Sequence, residues 1–226
     1  MNYGYYPGCS LTGSARKLDT GLRKVFGKQG HTLKEIPDWN CCGAFEYGDR
    51  KELTEFSKKN LAKAAGLFIE IVAPCPACYK NLREADEQKE FIISHPLDLF
   101  DDAFLSSLKP ARDLKEQVFT PYYGCILLRP RETAIQRNTV MEEVISRFGG
   151  EVAGEKVKDR CCGGNQIFIN KSVTEKLSKL ILEKSQGTIV VFCPLCHMAM
   201  KTFSNTRKVI YFTDLLLYIM GEKQAL

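Results

Sequence analysis

Residues 67–78 read LFIEIVAPCPAC and residues 188–196 read TIVVFCPLC. Each is a short apolar, β-branched run that stops at a Cys-Pro-x-Cys loop. A continuous apolar run of this length suits a strand covered on both faces, as in a parallel sheet. Proline directly after the first cysteine suits the opening position of a helix, where no amide donor is needed. Strand, cysteine loop, helix is therefore the unit, and it occurs twice.

Working outward, the repeat takes in every cysteine of the chain. Cys9 precedes the adjacent pair Cys41–Cys42 and then Cys75 and Cys78; Cys125 precedes Cys161–Cys162 and then Cys193 and Cys196. The order is C, CCG, CPxC in both halves, and equivalent cysteines lie 116, 120 and 118 residues apart. The flanks repeat as well: YGYYPGC at 3–9 matches FTPYYGC at 119–125, and FIISHPLDLF at 91–100 matches VIYFTDLLLY at 209–218. Near-constant offsets of this kind mark a duplicated unit with small changes of loop length.

Within one unit, the apolar run before Cys9 predicts a strand. Residues 14–29 have helical spacing (Leu18, Leu22, Val25, Phe26) and stop at Gly30. A strand over 33–36 leads to the CCG loop, and a polar-faced helix runs from Asp49 to Gly66. The second unit predicts helix 131–148, a short strand over 151–157, helix 172–185, strand 188–192 and helix 195–203. This alternation predicts an α/β fold: two tandem pseudo-symmetric units with small parallel sheets and the cysteine loops at the carboxyl ends of the strands. The units are residues 1–112 and 113–226, with the seam at Lys109–Lys115.

The 226 residues are 44% hydrophobic, and 32 Lys and Arg stand against 27 Asp and Glu, a net charge of +5. No arginine-rich run or aromatic–basic ladder supports nucleic-acid binding. The opening MNYGYYPGCS lacks the pattern of a secretory signal. Apolar runs such as LFIEIVAP and DLLLYIMG are too short to span a bilayer. The chain reads as soluble and cytoplasmic. In a reducing compartment, ten cysteines read as metal ligands or redox groups rather than as disulfides.

Five cysteines per unit exceed the four that structural zinc takes. Adjacent cysteines diverge along the backbone, which hinders chelation of one small ion but suits two irons of one cluster. Soft thiolates in this number favour an iron–sulfur cluster; zinc in one of the two sites remains the alternative. A thioredoxin-like pair accounts for one CPxC only. Cys193-Pro-Leu-Cys196-His197 fits the pattern of c-type haem attachment, but Tyr79 stands at the matching place in the first unit. His197 and His95 read as structural, and His31 as an exposed residue of a helix–strand connection. No glycine-rich nucleotide loop is present, so electrons must come from, or leave through, a partner.

The stretches YGYYPGCS, EIPDWNCCGA, VAPCPACYKNL and VIYFTDLL, with their second copies, resemble the B-type subunit of heterodisulfide reductase, a CCG-domain family. The resemblance covers essentially the whole chain, although the family's methanogen members are longer between and around the motifs. It implies two noncubane [4Fe-4S] clusters, one held by Cys9, Cys41, Cys42, Cys75 and Cys78 and the other by Cys125, Cys161, Cys162, Cys193 and Cys196. Cys42 and Cys162 would be the catalytic members. The implied activity is reduction of a disulfide, such as CoM-S-S-CoB, to two thiols by one-electron steps. The implied partners are an iron–sulfur protein like the family's C-type subunit, a flavin-containing protein like its A-type subunit, and a disulfide or thiol substrate, free or carrier-bound. Related roles are the reverse oxidation of thiols or persulfides and non-catalytic electron transfer.

Overall fold

The computed structural model describes residues 1–44 and 49–226. The first half runs β1 (Asn2–Tyr5), α1 (Gly8–Thr12), α2 (Arg16–Lys28), β2 (Thr32–Glu35), α3 (Arg50–Ala64), β3 (Glu70–Val72), α4 (Pro76–Ala85), β4 (Ile92–Ser94), α5 (Pro96–Leu99) and α6 (Asp102–Ser107). The second runs β5 (Val118–Tyr122), α7 (Cys125–Leu128), α8 (Val140–Arg147), β6 (Glu151–Val152), α9 (Lys171–Lys184), β7 (Thr188–Val191), α10 (Pro194–Phe203), β8 (Val209–Tyr211) and α11 (Phe212–Ile219), with 3-10 turns at Glu155–Val157 and Gly164–Gln166.

Each half builds one four-stranded sheet, ordered β2-β1-β3-β4 and β6-β5-β7-β8. Every strand pair described is parallel. The α/β expectation of two similar units with small parallel sheets therefore holds. Because the strands are parallel, their carboxyl ends lie on one side, and the loops that leave them carry the cysteines.

Local chemistry explains the helix starts. Asp49 caps α3 by accepting from the Lys51 amide at 3.3 Å, and Pro76 and Pro194 open α4 and α10. The stripe Leu18, Leu22, Val25 and Phe26 turns α2 inward. In α11, Leu215, Leu216, Leu217 and Ile219 are all buried, so this apolar helix is part of the core.

One continuous core serves both halves. Helix α2 packs on α11. The Phe100 ring lies 6.5 Å from Phe192 and 5.9 Å from Phe212 across the seam. Lys24 and Lys28 each reach Glu222 at 2.7 Å.

Three local expectations change. The helix expected over 131–148 forms only over Val140–Arg147. Residues 131–139 make turns, in which the Ile135 amide bonds to the Leu127 carbonyl at 2.9 Å and the side chain is buried. An inward apolar residue on a turn mimics helical spacing. The strand expected over 151–157 ends at Val152, because Gly154 at φ +73° turns the chain into a 3-10 turn. His31 is half-buried, not exposed, with its ring 5.8 Å from that of Tyr3.

Candidate functional site

Three strand ends deliver each cysteine set. In the first half, Cys9 lies on α1 just after β1, Cys41 and Cys42 follow β2, and Cys75 caps the amino end of α4, which carries Cys78 in its first turn. In the second, Cys125 opens α7 after β5, Cys161 and Cys162 follow β6, and Cys193 caps α10, which carries Cys196.

The structure brings together the five sulfurs that the motif groups in each half. Cys42 and Cys78 stand 3.3 Å apart and Cys9 and Cys41 4.0 Å apart. The second half repeats this at 3.2 Å between Cys162 and Cys196. Cys75 and Cys193 join through hydrogen bonds with Cys78 and Cys196, and Cys125 through one with Cys161. All ten cysteines are free thiols. In each half the CPxC pair and the second cysteine of CCG are buried, while Cys9, Cys41 and Cys161 are exposed and Cys125 is half-buried. Cys42 and Cys162, at 1% and 4% exposure, therefore lie on the inner side of their sets.

Backbone amides point at the sulfurs. Gly163 and Gly164 donate to Cys161 at 3.4 Å and Cys162 at 3.3 Å, and the Cys196 amide donates to Cys193 at 3.5 Å. The Gly163 and Gly164 amides favour the thiolates of Cys161 and Cys162. Cys75 is held below the ordinary thiol range by its hydrogen bond with Cys78, then by the Cys78 and Ala77 amides. Cys161 is lowered by its bond with Cys125, by the Gly163 amide and by the charge of Arg129. The inner cysteines differ between halves: the bond with Cys41 pushes Cys42 up, whereas the bond with Cys196 pulls Cys162 down.

A supporting shell holds the loops, and none of it stands out by residue type in the sequence. The Tyr6 hydroxyl donates to the Asn40 carbonyl, and Tyr122 donates to the Arg160 carbonyl at 2.5 Å. Ser57 donates to the Cys42 carbonyl at 3.1 Å, and Ser178 to the Cys162 carbonyl at 3.0 Å. Both serines are fully buried. The available signal is positional: each tyrosine stands three residues before the first cysteine of its unit.

A ring pair stands behind each CPxC loop, with its members exchanged between halves. Tyr79 meets His95 edge-on at 5.8 Å, and His197 stacks on Tyr211 at 4.0 Å and 19°. His95 accepts the Leu97 amide at Nδ1, which leaves Nε2–H to donate to the Pro74 carbonyl at 3.1 Å. Burial lowers its pKa to about 3, so the ring is neutral.

Cysteine-bearing helices of the two halves meet across the seam. Helix α1, with Cys9, packs on α10, and α7, with Cys125, packs on α4.

Five soft sulfur donors per set, with amide dipoles turned toward them, fit a metal–sulfur group. Gly8 and Gly124 keep the space open: a Cβ at Gly8 would lie 2.8 Å from the Cys78 sulfur, and one at Gly124 3.3 Å from the Cys196 sulfur. Among the described residues no His, Cys, Asp or Glu group has the arrangement of a single-ion site; the sulfurs of each set form linked pairs. Also among the described residues, no helix is long and apolar enough to cross a membrane.

Known proteins resemble this chain in sequence or fold. The 8-methylmenaquinol:fumarate reductase membrane anchor subunit of Wolinella succinogenes is 24% identical over 243 residues, covering 92% of this chain and 84% of that protein. The heterodisulfide reductase B-subunit-like protein of Archaeoglobus profundus is 25% identical over 88 residues, 38% of this chain and 29% of that protein. The crystal structure of a hypothetical protein from Helicobacter pylori matches 99% of this chain with a TM-score of 0.72 at 12% identity, a likeness of fold. The chain spans about half of that protein, at 49% of its length. A family model described as the cysteine-rich domain, CCG, matches residues 3–83 and again residues 119–201. The chain thus belongs to the CCG cysteine-rich domain family and carries the domain twice.

Proposed function

We propose that each five-cysteine set holds an iron–sulfur cluster, of the noncubane [4Fe-4S] type, and that the two together reduce a disulfide to two thiols within a heterodisulfide reductase-like complex. The observation that supports this reading is the reciprocal packing of α1 on α10 and α7 on α4, which joins helices that carry cysteines of the two sets. When bound, such clusters supply electrons singly and offer iron to sulfur. Disulfide cleavage takes two electrons and two protons and yields two thiols, so paired sites match its stoichiometry.

The chain's own residues do the holding. Cys42, Cys75 and Cys78 anchor the first cluster from within, and Cys162, Cys193 and Cys196 the second. Cys9, Cys41, Cys125 and Cys161 complete the sets on the open side. The buried thiols exclude water, and the amides at the amino end of α4 favour the thiolate of Cys75. Turnover depends on Cys42 and Cys162, the inner members of the adjacent pairs. Electrons arrive through two partner proteins of the complex, one carrying iron–sulfur clusters and one carrying flavin.

The test is anaerobic turnover with a panel of disulfides and a low-potential electron donor. Release of two thiols per two electrons supports the proposal; no turnover of any disulfide contradicts it. A second reading is electron transfer without catalysis. It is favoured by the Wolinella relative, which aligns with most of this chain and is named a membrane anchor subunit. It predicts that thiols added to the oxidised protein leave its paramagnetic resonance spectrum unchanged, whereas the catalytic reading predicts new signals.

A further inference from the structure

A cleft of about 420 Å³ opens beside Cys161, the exposed thiol of the second set. Its floor is apolar, formed by Val157, Leu177 and Ile181, with Leu180 at the rim. Three cations line it: Arg129, Arg160 and Lys184. Among the described residues the two arginines bond only to backbone carbonyls, Arg129 to Asp159 at 2.6 Å and Arg160 to Lys156 at 3.5 Å. Asp159 is the one acidic side chain in the lining. Cations gathered without carboxylate partners in a cleft raise the local concentration of anions.

The equivalent positions of the first half do not carry this trio of unpaired cations. Counting from equivalent cysteines, Gly13 stands where Arg129 does and Asn40 where Arg160 does. Counting from Ser57 and Ser178, Lys63 stands where Lys184 does, and it is paired with Asp38 at 2.9 Å. Duplication alone would give both sites the same surroundings, so the cationic lining is a property of the second site.

We propose that this cleft receives the sulfur substrate through an anionic group of carboxylate or phosphate type on a short apolar stem. Arg129, Arg160 and Lys184 would take the anion, and Val157, Leu177 and Ile181 the stem. The substrate's sulfur then approaches from the Cys161 side, and the second half is the receiving half. The identity of the occupant as a thiol or disulfide rests on the function proposed above; the anion preference of the cleft does not.

The test separates these two claims by using probes instead of substrate. The full-length, metal-free chain is alkylated with iodoacetate or with iodoacetamide, and each cysteine is followed by mass spectrometry. In both reactions the thiolate sulfur forms a bond to carbon as iodide leaves. The iodoacetate-to-iodoacetamide rate ratio at one cysteine cancels its thiolate fraction and leaves the attraction for the anionic probe. We expect this ratio to be about tenfold higher at Cys161 than at Cys41. It should fall to the Cys41 value in about 1 M salt and in the double variant Arg129→Gln with Lys184→Gln. Equal ratios at the two cysteines would overturn the proposal, as would a high Cys161 ratio that the double variant leaves unchanged. Iron content of the untreated protein is measured separately, so a failure of the cluster assignment shows there and not in the ratio.

Discussion

The two halves share a plan and differ in its surroundings, which separates what the metal site requires from what each site adds. Common to both are a tyrosine on the carbonyl before the adjacent cysteines, a buried serine on the carbonyl of the second of them, a glycine before the first cysteine and a helix opening at CPxC. Different are the neighbours. Tyr79 and His95 in the first half become His197 and Tyr211 in the second, and a cationic cleft adjoins Cys161. The shared parts hold the sulfurs in place; the unshared parts make two similar sites unequal.

Removing an inner cysteine should break the symmetry most. Cys162→Ala is expected to empty the second site, keep about half the iron and bring disulfide turnover to background, since one cluster supplies single electrons. Cys42→Ala should do the same from the other side. Turnover surviving either change at more than a few per cent of the starting rate would show that the halves act separately.

The glycines should give the next largest effect. Gly8 and Gly124 have φ of +69° and +76°, so alanine at either costs about 1–3 kcal/mol in backbone strain. Gly8→Ala also brings its Cβ to 2.8 Å from the Cys78 sulfur, against 3.3 Å for Gly124→Ala and Cys196. Urea unfolding should therefore rank Gly8→Ala as the more damaging, with iron lost first from the altered half.

Much of this was legible before the fold. The ten cysteines, their order and the repeat offset gave the paired architecture, because a duplicated strand–loop–helix unit leaves the same punctuation twice. Helix α8 was harder. Ile135 and Val140 both point inward, yet one sits on a turn and the other on a helix, and apolar spacing does not tell them apart. Ser57 and Ser178 were invisible for another reason. A serine within a polar helix face acquires its role only when a loop from a distant strand places a carbonyl above it. The cationic cleft likewise depends on Arg129, Arg160 and Lys184 meeting from three separate segments.

The serines give the smallest expected effect and the finest comparison. Ser57→Ala and Ser178→Ala each remove one buried hydrogen bond of nearly equal length, so each should destabilise by about 1–2 kcal/mol. Urea midpoints that shift alike support a common holding shell. A shift in one half alone would mean that the other CCG loop is held by different contacts.

Metal and acid-labile sulfide analysis of the anaerobically purified chain tests the central claim most directly. The account predicts iron and sulfide in equal amounts, at two clusters per chain, in a brown protein. Zinc with little iron, or iron for one cluster only, would contradict it.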